Sequence, residues 1–295
     1  MTQRPRSRRP PDLVLIGHVG WATNSTASGT RSSLGGSGYA AAFAAAMVAG
    51  DRALVGLVAQ VGQDLDLQGL RHLGLSLDGL AVLPGASARF YITDHPGGTR
   101  SFRSELGVAA SPRFDAFPDL YLQAAHAHLG TMPPEQQLAW LGFLRDNGFQ
   151  APISVDAFEY FVTTEPSASR EVCDLADLIF INEAEYQGLY HDNDIPKPPV
   201  VLKHGPRGAD FISDGVSRFA SAIPAVDMVD GTGAGEILAG VYLALRTCGL
   251  PQKEALSQAV RAATRSVTEF GVDGRHLARE LAAIRDTARQ EGPSG

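Results

Sequence analysis

The segment from Asp230 to Glu236 combines residue types that can transfer a phosphoryl group. It reads Asp-Gly-Thr-Gly-Ala-Gly-Glu and runs directly into an apolar stretch, 237–245, with the composition of a helix. Glycines let a backbone approach a ligand closely, and the first N–H groups of a helix are free to bind an anion. Glu236 is placed to take a proton from a hydroxyl while those N–H groups hold a phosphoryl group. The residues that we assign to this anion hole are Gly233, Ala234 and Gly235.

The glycine spacing by itself leaves two other interpretations open, a structural turn and a dinucleotide-binding turn. A dinucleotide turn follows a hydrophobic strand and has an acid about 20 residues later. Here 225–229 is a poor candidate for a buried strand, and Leu250 and Pro251 stand where that acid is expected. An oxidoreductase is therefore a weaker hypothesis than a kinase.

Four further segments strengthen the kinase interpretation, because together with Asp230–Glu236 they resemble the ribokinase (pfkB) family of carbohydrate and nucleoside kinases. The signature of that family, Asp-Thr-x-Gly-Ala-Gly-Asp, is matched by Asp230, Gly233, Ala234 and Gly235, with Thr232 at its unspecified position, and Glu236 stands where the family has its catalytic aspartate. The other segments follow in the family's order: 34–38 before an alanine-rich helix, 61–64 with 70–75, 182–185, and 200–208. The resemblance extends from about residue 12 to about residue 275.

Composition excludes several other functions. The chain of 295 residues has a net charge of −7, which provides no basic face for nucleic acid. Cys173 and Cys248 are too few for a disulfide framework, so we expect a reducing cytoplasm. No apolar run after the basic, proline-rich segment 4–11 is long enough for a signal peptide or a membrane span. We expect a disordered basic arm at 1–11, one domain at 12–288 and a flexible tail at 289–295.

Strand and helix patterns alternate along that domain. Apolar runs predict strands at 13–16, 53–59, 127–129, 153–155, 178–181 and 199–202, and helices are predicted at 39–49, 134–147, 167–176 and 255–270, the last ending at Gly271. Repeated strand–helix units predict a doubly wound, mostly parallel sheet with helices on both faces. Such α/β sheets bind ligands at the carboxyl ends of their strands.

Two segments, 20–34 and 88–108, interrupt this alternation. The second has β-branched and aromatic residues on either side of a Pro-Gly turn, which predicts a hairpin. In the resembled family the corresponding stretches form a small β-lid over the sugar and often the dimer surface, so the resemblance implies a homodimer formed through the lid. The alternative is an ordinary surface hairpin.

The resemblance also implies ATP and Mg²⁺ as ligands. Asn182 and Glu185 correspond to the family's Asn-x-x-Glu element, with Glu185 holding Mg²⁺ through water. Their spacing equally predicts a helix cap, and both roles are compatible. Asp230 corresponds to an acid of a monovalent-cation site, here K⁺, or else caps the glycine turn. The residues assigned to ATP are Asn182, Glu185, Lys203, Gly205, Gly208, Thr232 and Gly271, the last in the turn that walls the adenine.

On the acceptor side the sequence departs from the family. Ala22 stands where an aspartate usually binds sugar hydroxyls, and the asparagine expected after Gly38 is absent. Burying a polar group of the acceptor without a hydrogen-bond partner costs free energy. The loss of these two polar residues therefore implies a different or less polar acceptor. The candidate acceptor residues are His18, Asn24, Gly35, Gly36, Ser37, Arg89 and the strand-end acid Asp156.

The sequence therefore predicts an ATP-dependent kinase that phosphorylates a hydroxyl of a sugar, nucleoside or sugar-like small molecule. The alternative is a relative that binds nucleotide or ligand without efficient phosphotransfer. Glu236 and the missing acceptor residues motivate that alternative.

Overall fold

The computed structural model of the chain describes residues 9–95, 100–190, 194–213, 216–220 and 227–291. The strands in these ranges are β1 (Leu13–Ile16), β2 (Gly20–Thr26), β3 (Gly29–Gly35), β4 (Val55–Gly62), β5 (Ser76–Leu83), β6 (Ala88–Asp94), β7 (Arg100–Glu105), β8 (His126–Leu129), β9 (Ile153–Asp156), β10 (Leu178–Asn182), β11 (Val200–Lys203), β12 (Ala209–Ser213) and β13 (Val216–Ala220). The α-helices there are α1 (Ser37–Ala49), α2 (Gln68–Arg71), α3 (Pro134–Asp146), α4 (Glu159–Thr164), α5 (Pro166–Leu175), α6 (Glu183–Leu189), α7 (Ala234–Thr247), α8 (Gln252–Ser266) and α9 (Arg275–Glu291).

Nine strands form one large sheet in the order β13-β12-β11-β10-β9-β8-β1-β4-β5. All neighbours from β11 to β5 are parallel, and β12 and β13 add two antiparallel pairings at one edge. The six strands predicted from apolar runs are all present in this sheet. Strands β5, β12 and β13 were not predicted, because they are less continuously apolar.

Helices cover both faces of the large sheet, as predicted. Leu13 and Leu15 of β1 point into a core with α1, α7, α8 and α9, whereas Val14 and Ile16 point into a core with α3, α4, α5 and α6. This alternation follows from the two-residue period of a strand, and a strand buried on both faces is apolar throughout. The fold is thus the doubly wound α/β architecture expected from the sequence.

Close packing of α1 against α7 is possible because both helices present small residues. Helix α1 is alanine-rich and buried on nearly all sides. At Gly240 of α7, a Cβ atom would lie 2.3 Å from the carbonyl oxygen of Ala41 in α1. The two backbones therefore touch where any larger side chain would separate them.

The remaining four strands form a small second sheet in the order β3-β2-β6-β7. Strands β6 and β7 pair antiparallel, which confirms the predicted hairpin, and β2 pairs with β3 in the same way. The pairing of β2 with β6 is parallel, so the small sheet is mixed. Its apolar residues Ala88, Phe90 and Ile92 form a separate small core with Phe102 and Leu106. We call this sheet the lid sheet.

Two predicted boundaries differ from the structure. Helix α8 ends at Ser266 and not at Phe270, because the carbonyl of Val267 accepts hydrogen bonds from the N–H groups of Val229 and Asp230. Helix α9 continues to Glu291, so the first residues of the predicted tail are helical. Residues 1–8 of the predicted arm, 96–98 of the predicted Pro-Gly turn, 292–295 of the tail and 225–226 of the segment 225–229 lie outside the described residues. No helix in the described ranges is long and apolar enough to cross a membrane.

We predict that Gly240→Ala destabilises the protein, because the new methyl group would overlap the carbonyl oxygen of Ala41. Overpacking of this kind costs about 1–3 kcal/mol in the free energy of unfolding. Gly142→Ala in α3 is the matched control, since a Cβ atom there meets nothing within 4 Å. The control should keep or slightly increase stability, by up to about 1 kcal/mol. Urea denaturation measures both changes, and equal effects would contradict the packing argument.

Candidate functional site

A cavity of about 260 Å³, which we call the pocket, lies where the C-terminal edge of the large sheet meets the lid sheet. Strands β1, β8, β9 and β11 contribute residues at or just after their carboxyl ends. The glycine turn before α7 lines another part of the pocket, and β2, β6 and β7 of the lid sheet line a third. This is the edge at which open α/β sheets bind ligands.

Asp230 holds the glycine turn in shape. Its Oδ1 accepts a hydrogen bond from the N–H of Thr232 at 2.9 Å, and its Oδ2 accepts one from Nδ2 of Asn24 at 2.5 Å. The carboxylate is 2% exposed. Both oxygens therefore have protein partners, which is the capping role that the sequence left open beside the cation role. The bond to Asn24 also ties the lid strand β2 to the turn.

Gly233 makes the junction between the turn and α7. It has a φ of +83° at the N-cap of the helix, and a Cβ atom there would lie 2.5 Å from Cγ1 of Val272. Both the conformation and the space require glycine. The N–H groups of Ala234, Gly235 and Glu236 lie in the first turn of α7, where they have no intrahelical acceptors. The arrangement can bind an anion at the positive end of the helix.

Glu236 lies in this first turn and lines the pocket. Its Oε1 accepts a hydrogen bond of 3.3 Å from Oγ1 of Thr131, which follows β8. Burial raises the pKa of Glu236, and the nearby Asp156 raises it further, whereas Lys203 and Thr131 oppose the shift. A carboxylate with a raised pKa is a stronger base than an exposed glutamate.

Lys203 and Asp156 form an ion pair inside the pocket. The Nζ atom of Lys203, at the end of β11, lies 2.7 Å from Oδ1 of Asp156, at the end of β9. Asp156 is 1% exposed, and burial raises its pKa although the lysine opposes the shift. Both residues were assigned from the sequence, to ATP and to the acceptor respectively, and the fold brings them into contact.

Asn182 and Glu185 form the capping box that their spacing predicted. The side chain of Asn182 accepts a hydrogen bond from the N–H of Glu185 at 2.9 Å, and Glu185 Oε2 accepts one from the N–H of Asn182 at 2.7 Å. Glu185 Oε1 accepts a third bond, from the N–H of Glu159. Burial raises the pKa of Glu185 to about 7. Glu185 also lines the pocket.

A magnesium ion fits these residues only through water. Within the described part of the chain, no group of three or more His, Cys, Asp and Glu side chains could ligate a metal directly. Each oxygen of Glu185 accepts one backbone N–H, so lone pairs remain for water molecules. Mg²⁺ keeps several waters and needs few protein carboxylates when phosphates supply the other ligands.

Most of the predicted acceptor residues line the pocket. They are His18, Asn24, Gly35, Gly36, Ser37 and Asp156. Burial lowers the pKa of His18 to about 4, so its ring is neutral near pH 7, and its Nε2 lies 3.2 Å from Oε1 of Gln136. Arg89 is not among the lining residues, because its guanidinium pairs with Asp64 at 3.2 Å on the outer side of the lid sheet.

The sequence analysis did not predict the apolar wall of the pocket. It consists of Ile92, Met132 and the rings of Phe90, Phe102, Phe158 and Phe161. Phe102 stacks against Phe90 with ring centroids 6.5 Å apart and meets Phe158 edge-on at 4.9 Å. The alternation of apolar and polar residues along β6 and β7 could have predicted it, because Phe90, Ile92 and Phe102 share one face of the hairpin.

The residues assigned to the nucleotide separate into two groups. Thr232, Lys203 and Gly271 line the pocket with Glu185, whereas Asn182, Gly205 and Gly208 do not. Gly205 and Gly208 begin and end the turn after β11, with φ angles of +57° and +102°. Next to Gly271, the guanidinium of Arg31 in β3 lies 5.1 Å from the ring centre of Phe270. The lid sheet thus reaches the segment predicted to wall the adenine.

Comparisons with known proteins identify what this fold and pocket resemble. The model of the pfkB family carbohydrate kinases matches residues 14–276. A cytidine kinase from Thermococcus kodakarensis is 29% identical over 274 residues, which are 88% of this chain and 97% of that kinase. The structure of Burkholderia thailandensis nucleoside kinase in complex with inosine has a TM-score of 0.76 at 18% identity, covering 95% of this chain and all of that one. Ribokinase from Cryptococcus neoformans in complex with ADP has a TM-score of 0.75 at 17% identity, covering 95% and 99%.

We predict that Gly233→Ala disables the anion hole, because the added methyl group would collide with Val272 and shift the first turn of α7. The affinity for a non-hydrolysable ATP analogue, measured by calorimetry, should fall at least about tenfold, the equivalent of one lost hydrogen bond. Gly249→Ala is the control. It has a φ of +88° but meets nothing within 4 Å, so it should lose some stability and bind the analogue normally. Equal affinities for the analogue in the two variants would contradict this role of Gly233.

Proposed function

We propose that this chain, which belongs to the pfkB family of carbohydrate kinases, transfers the γ-phosphoryl group of ATP to a hydroxyl of a nucleoside. The chain is a kinase with an alcohol group as acceptor, acting on a sugar or nucleoside. The three relatives above are kinases by name, so the comparisons give no support to a ligand-binding relative without phosphotransfer. The choice of a nucleoside over a free sugar is our proposal.

One observation carries this choice: the pocket combines unsatisfied polar atoms with an aromatic wall. Asn24 Oδ1, Asp156 Oδ2 and Thr232 Oγ1 are buried and have no hydrogen-bond partner in the part of the chain that the structure describes. All three residues line the pocket. Buried polar atoms are almost always paired, so these atoms favour a ligand that brings hydroxyl groups. The sugar ring of a nucleoside supplies them.

The aromatic wall favours the base of the nucleoside. Phe90, Phe102 and Phe158 present ring faces and edges to the same cavity. A planar base gains stacking energy and buries its apolar faces there, whereas a free pentose would leave this wall uncovered. The loss of the family's sugar-binding aspartate at Ala22 agrees with an acceptor held partly by apolar contact. The relatives named as a cytidine kinase and as a nucleoside kinase with inosine support the same class.

We assign the chemistry to the first turn of α7. The acceptor oxygen forms a bond to the γ-phosphorus, and the bond from that phosphorus to the β–γ bridging oxygen breaks, leaving ADP with the electron pair. Glu236 takes the hydroxyl proton, and the N–H groups of Ala234 and Gly235 hold the transferred oxygens. Glu185, with Asn182, would hold Mg²⁺ through water, and the ion would supply charge that neutralises the phosphates.

The remaining assignments of the sequence stay predictions within this proposal. We place the ATP between the turn Gly205–Gly208 and the segment at Gly271, and a K⁺ ion beside Asp230. A homodimer through the lid sheet and a cytoplasmic location are likewise expected. Arg89 keeps its predicted acceptor role only if its ion pair with Asp64 opens, because the two side chains now contact each other.

We predict that nucleosides are better acceptors than free sugars and that Phe102→Ala weakens this preference. Stacking of a base on an aromatic ring is worth about 1–3 kcal/mol, so the nucleoside KM should rise about 5- to 150-fold. The KM for ATP should be unchanged. ADP release measured over a panel of nucleosides and pentoses provides both values.

The control is Arg103→Ala, one residue along β7 on the opposite face of the strand, where the guanidinium is exposed and lies over Tyr91. It should leave the nucleoside KM unchanged. A free pentose with a higher kcat/KM than every nucleoside would overturn the proposed acceptor class.

We predict that Glu236→Gln lowers kcat by about 10²- to 10⁴-fold with little change in ATP affinity, because a general base acts only while the proton moves.

The pKa of Glu236 is raised in the wild type. We therefore expect kcat of the wild type to fall as the pH drops through a value above the pKa of an ordinary glutamate, because the protonated side chain cannot accept a proton. Glu236→Asp should also be slower, since a shorter side chain withdraws the carboxylate, and about 1 Å of misplacement costs about 100-fold. Wild-type turnover in Glu236→Gln would refute the base assignment.

A further inference from the structure

Lys203 is unusual among the cations of this chain. Three of the 25 Lys and Arg residues are lysines, and the other two, Lys197 and Lys253, are exposed. Lys203 is 15% exposed at its side chain and paired with the buried Asp156. The free-energy cost of removing two such charges from water offsets much of their attraction. The ion pair is therefore not explained by a contribution to the stability of the fold. Its place in the pocket suggests a role in the reaction.

The ammonium group of Lys203 lies beside the anion hole. A Cβ atom at Gly235, the second residue of α7, would be 3.2 Å from Nζ of Lys203. The N-terminus of a helix is positive, so an ammonium group next to it is repelled unless an anion contacts both. Glycine at 235 leaves the space between lysine and helix open. The two cationic features thus converge where a phosphoryl group would enter.

The lysine remains charged in this position. Burial opposes its charge, but the carboxylates of Asp156, Glu185 and Glu236 outweigh burial and raise the pKa of Lys203. Asp156 uses Oδ1 for the lysine, while its Oδ2 has no partner among the described residues. A permanent point charge with rotatable donors is suited to follow a moving phosphoryl group.

We propose that Lys203 is a catalytic residue whose ammonium group binds the transferred phosphoryl group beside the N-terminus of α7, and that Asp156 is the positioning residue that holds it there. The proposal rests on the proposed function for the transfer itself. During transfer the negative charge spreads over three phosphoryl oxygens, and the helix N–H groups and the ammonium group bind different oxygens. Asp156 fixes the direction of the lysine and leaves its second oxygen for an acceptor hydroxyl.

The experiment compares Lys203→Met with Lys253→Met, the same chemical change at an exposed site. We expect Lys203→Met to lower kcat by about 10²- to 10³-fold, as for the loss of one oxyanion donor, with little change in the acceptor KM. A second readout needs no acceptor. ADP with magnesium and tetrafluoroaluminate, a mimic of the transferred phosphoryl group, should stabilise wild type and Lys253→Met more than ADP alone does. This additional thermal shift should be lost in Lys203→Met.

Asp156→Asn and the double variant Lys203→Met with Asp156→Asn test the positioning role. Asp156→Asn should lower kcat, and the double variant should be no slower than Lys203→Met, because Asp156 acts through the lysine. The double variant leaves no lone buried charge, so it decides the question if Lys203→Met does not fold.

Two results would overturn the proposal. The first is a kcat and a fluoroaluminate shift in Lys203→Met, or in the double variant, equal to those of Lys253→Met. The second is a loss confined to the acceptor KM, which would make Lys203 an acceptor residue. Failure of the proposed function is distinguishable, because wild type would then phosphorylate no nucleoside while the fluoroaluminate comparison, which contains no acceptor, still reports on Lys203.

Discussion

The contact between α1 and α7 is the constraint on which the pocket depends. Because Gly240 lets the two backbones touch at Ala41, α7 lies close against α1, and its first turn lines the pocket together with the ends of β9 and β11. The proposed anion hole is then built from backbone groups whose positions follow from helix packing. The alanines of α1 are therefore as much a part of the site as the glycines of the turn, since a larger residue in either helix would move the N–H groups.

The lid sheet contacts two segments of the pocket, the glycine turn and the segment at Gly271, through two different strands. Asn24 of β2 donates a buried hydrogen bond to Asp230, and Arg31 of β3 lies over Phe270, next to Gly271. One sheet therefore contacts the glycine turn, lines the pocket with Phe90 and Phe102, and borders the segment assigned to adenine. A change of the lid position would alter all three regions together, which is the coupling that a kinase needs to avoid transfer to water.

The glycine turn and the capping box could be predicted from the sequence, whereas the wall of the pocket could be predicted only in part. The backbone conformation and the contacts with neighbouring residues require glycine at positions 36 and 233. This requirement is visible in the sequence as glycines at fixed places next to a helix start. The capping box of Asn182 and Glu185 is local as well. The aromatic wall joins side chains from β6, β7 and the segment after β9, which no local pattern connects. Arg89 shows the same limit: its residue type fits a binding role, but its position on β6 turns it toward Asp64.

Glu236 and Lys203 are best understood together. A glutamate in place of the family's aspartate places the carboxylate one methylene farther from the helix, where Thr131 reaches it from the end of β8. In that position burial and Asp156 both raise the pKa of Glu236 and favour the protonated, inactive form, while Lys203 favours the charged form. The lysine is in turn kept charged by carboxylates that include Glu236. Glu236 and the buried lysine therefore stabilise each other's charged forms: Lys203 opposes protonation of the proposed base, and Glu236 helps to keep the cation that an incoming phosphoryl group would meet.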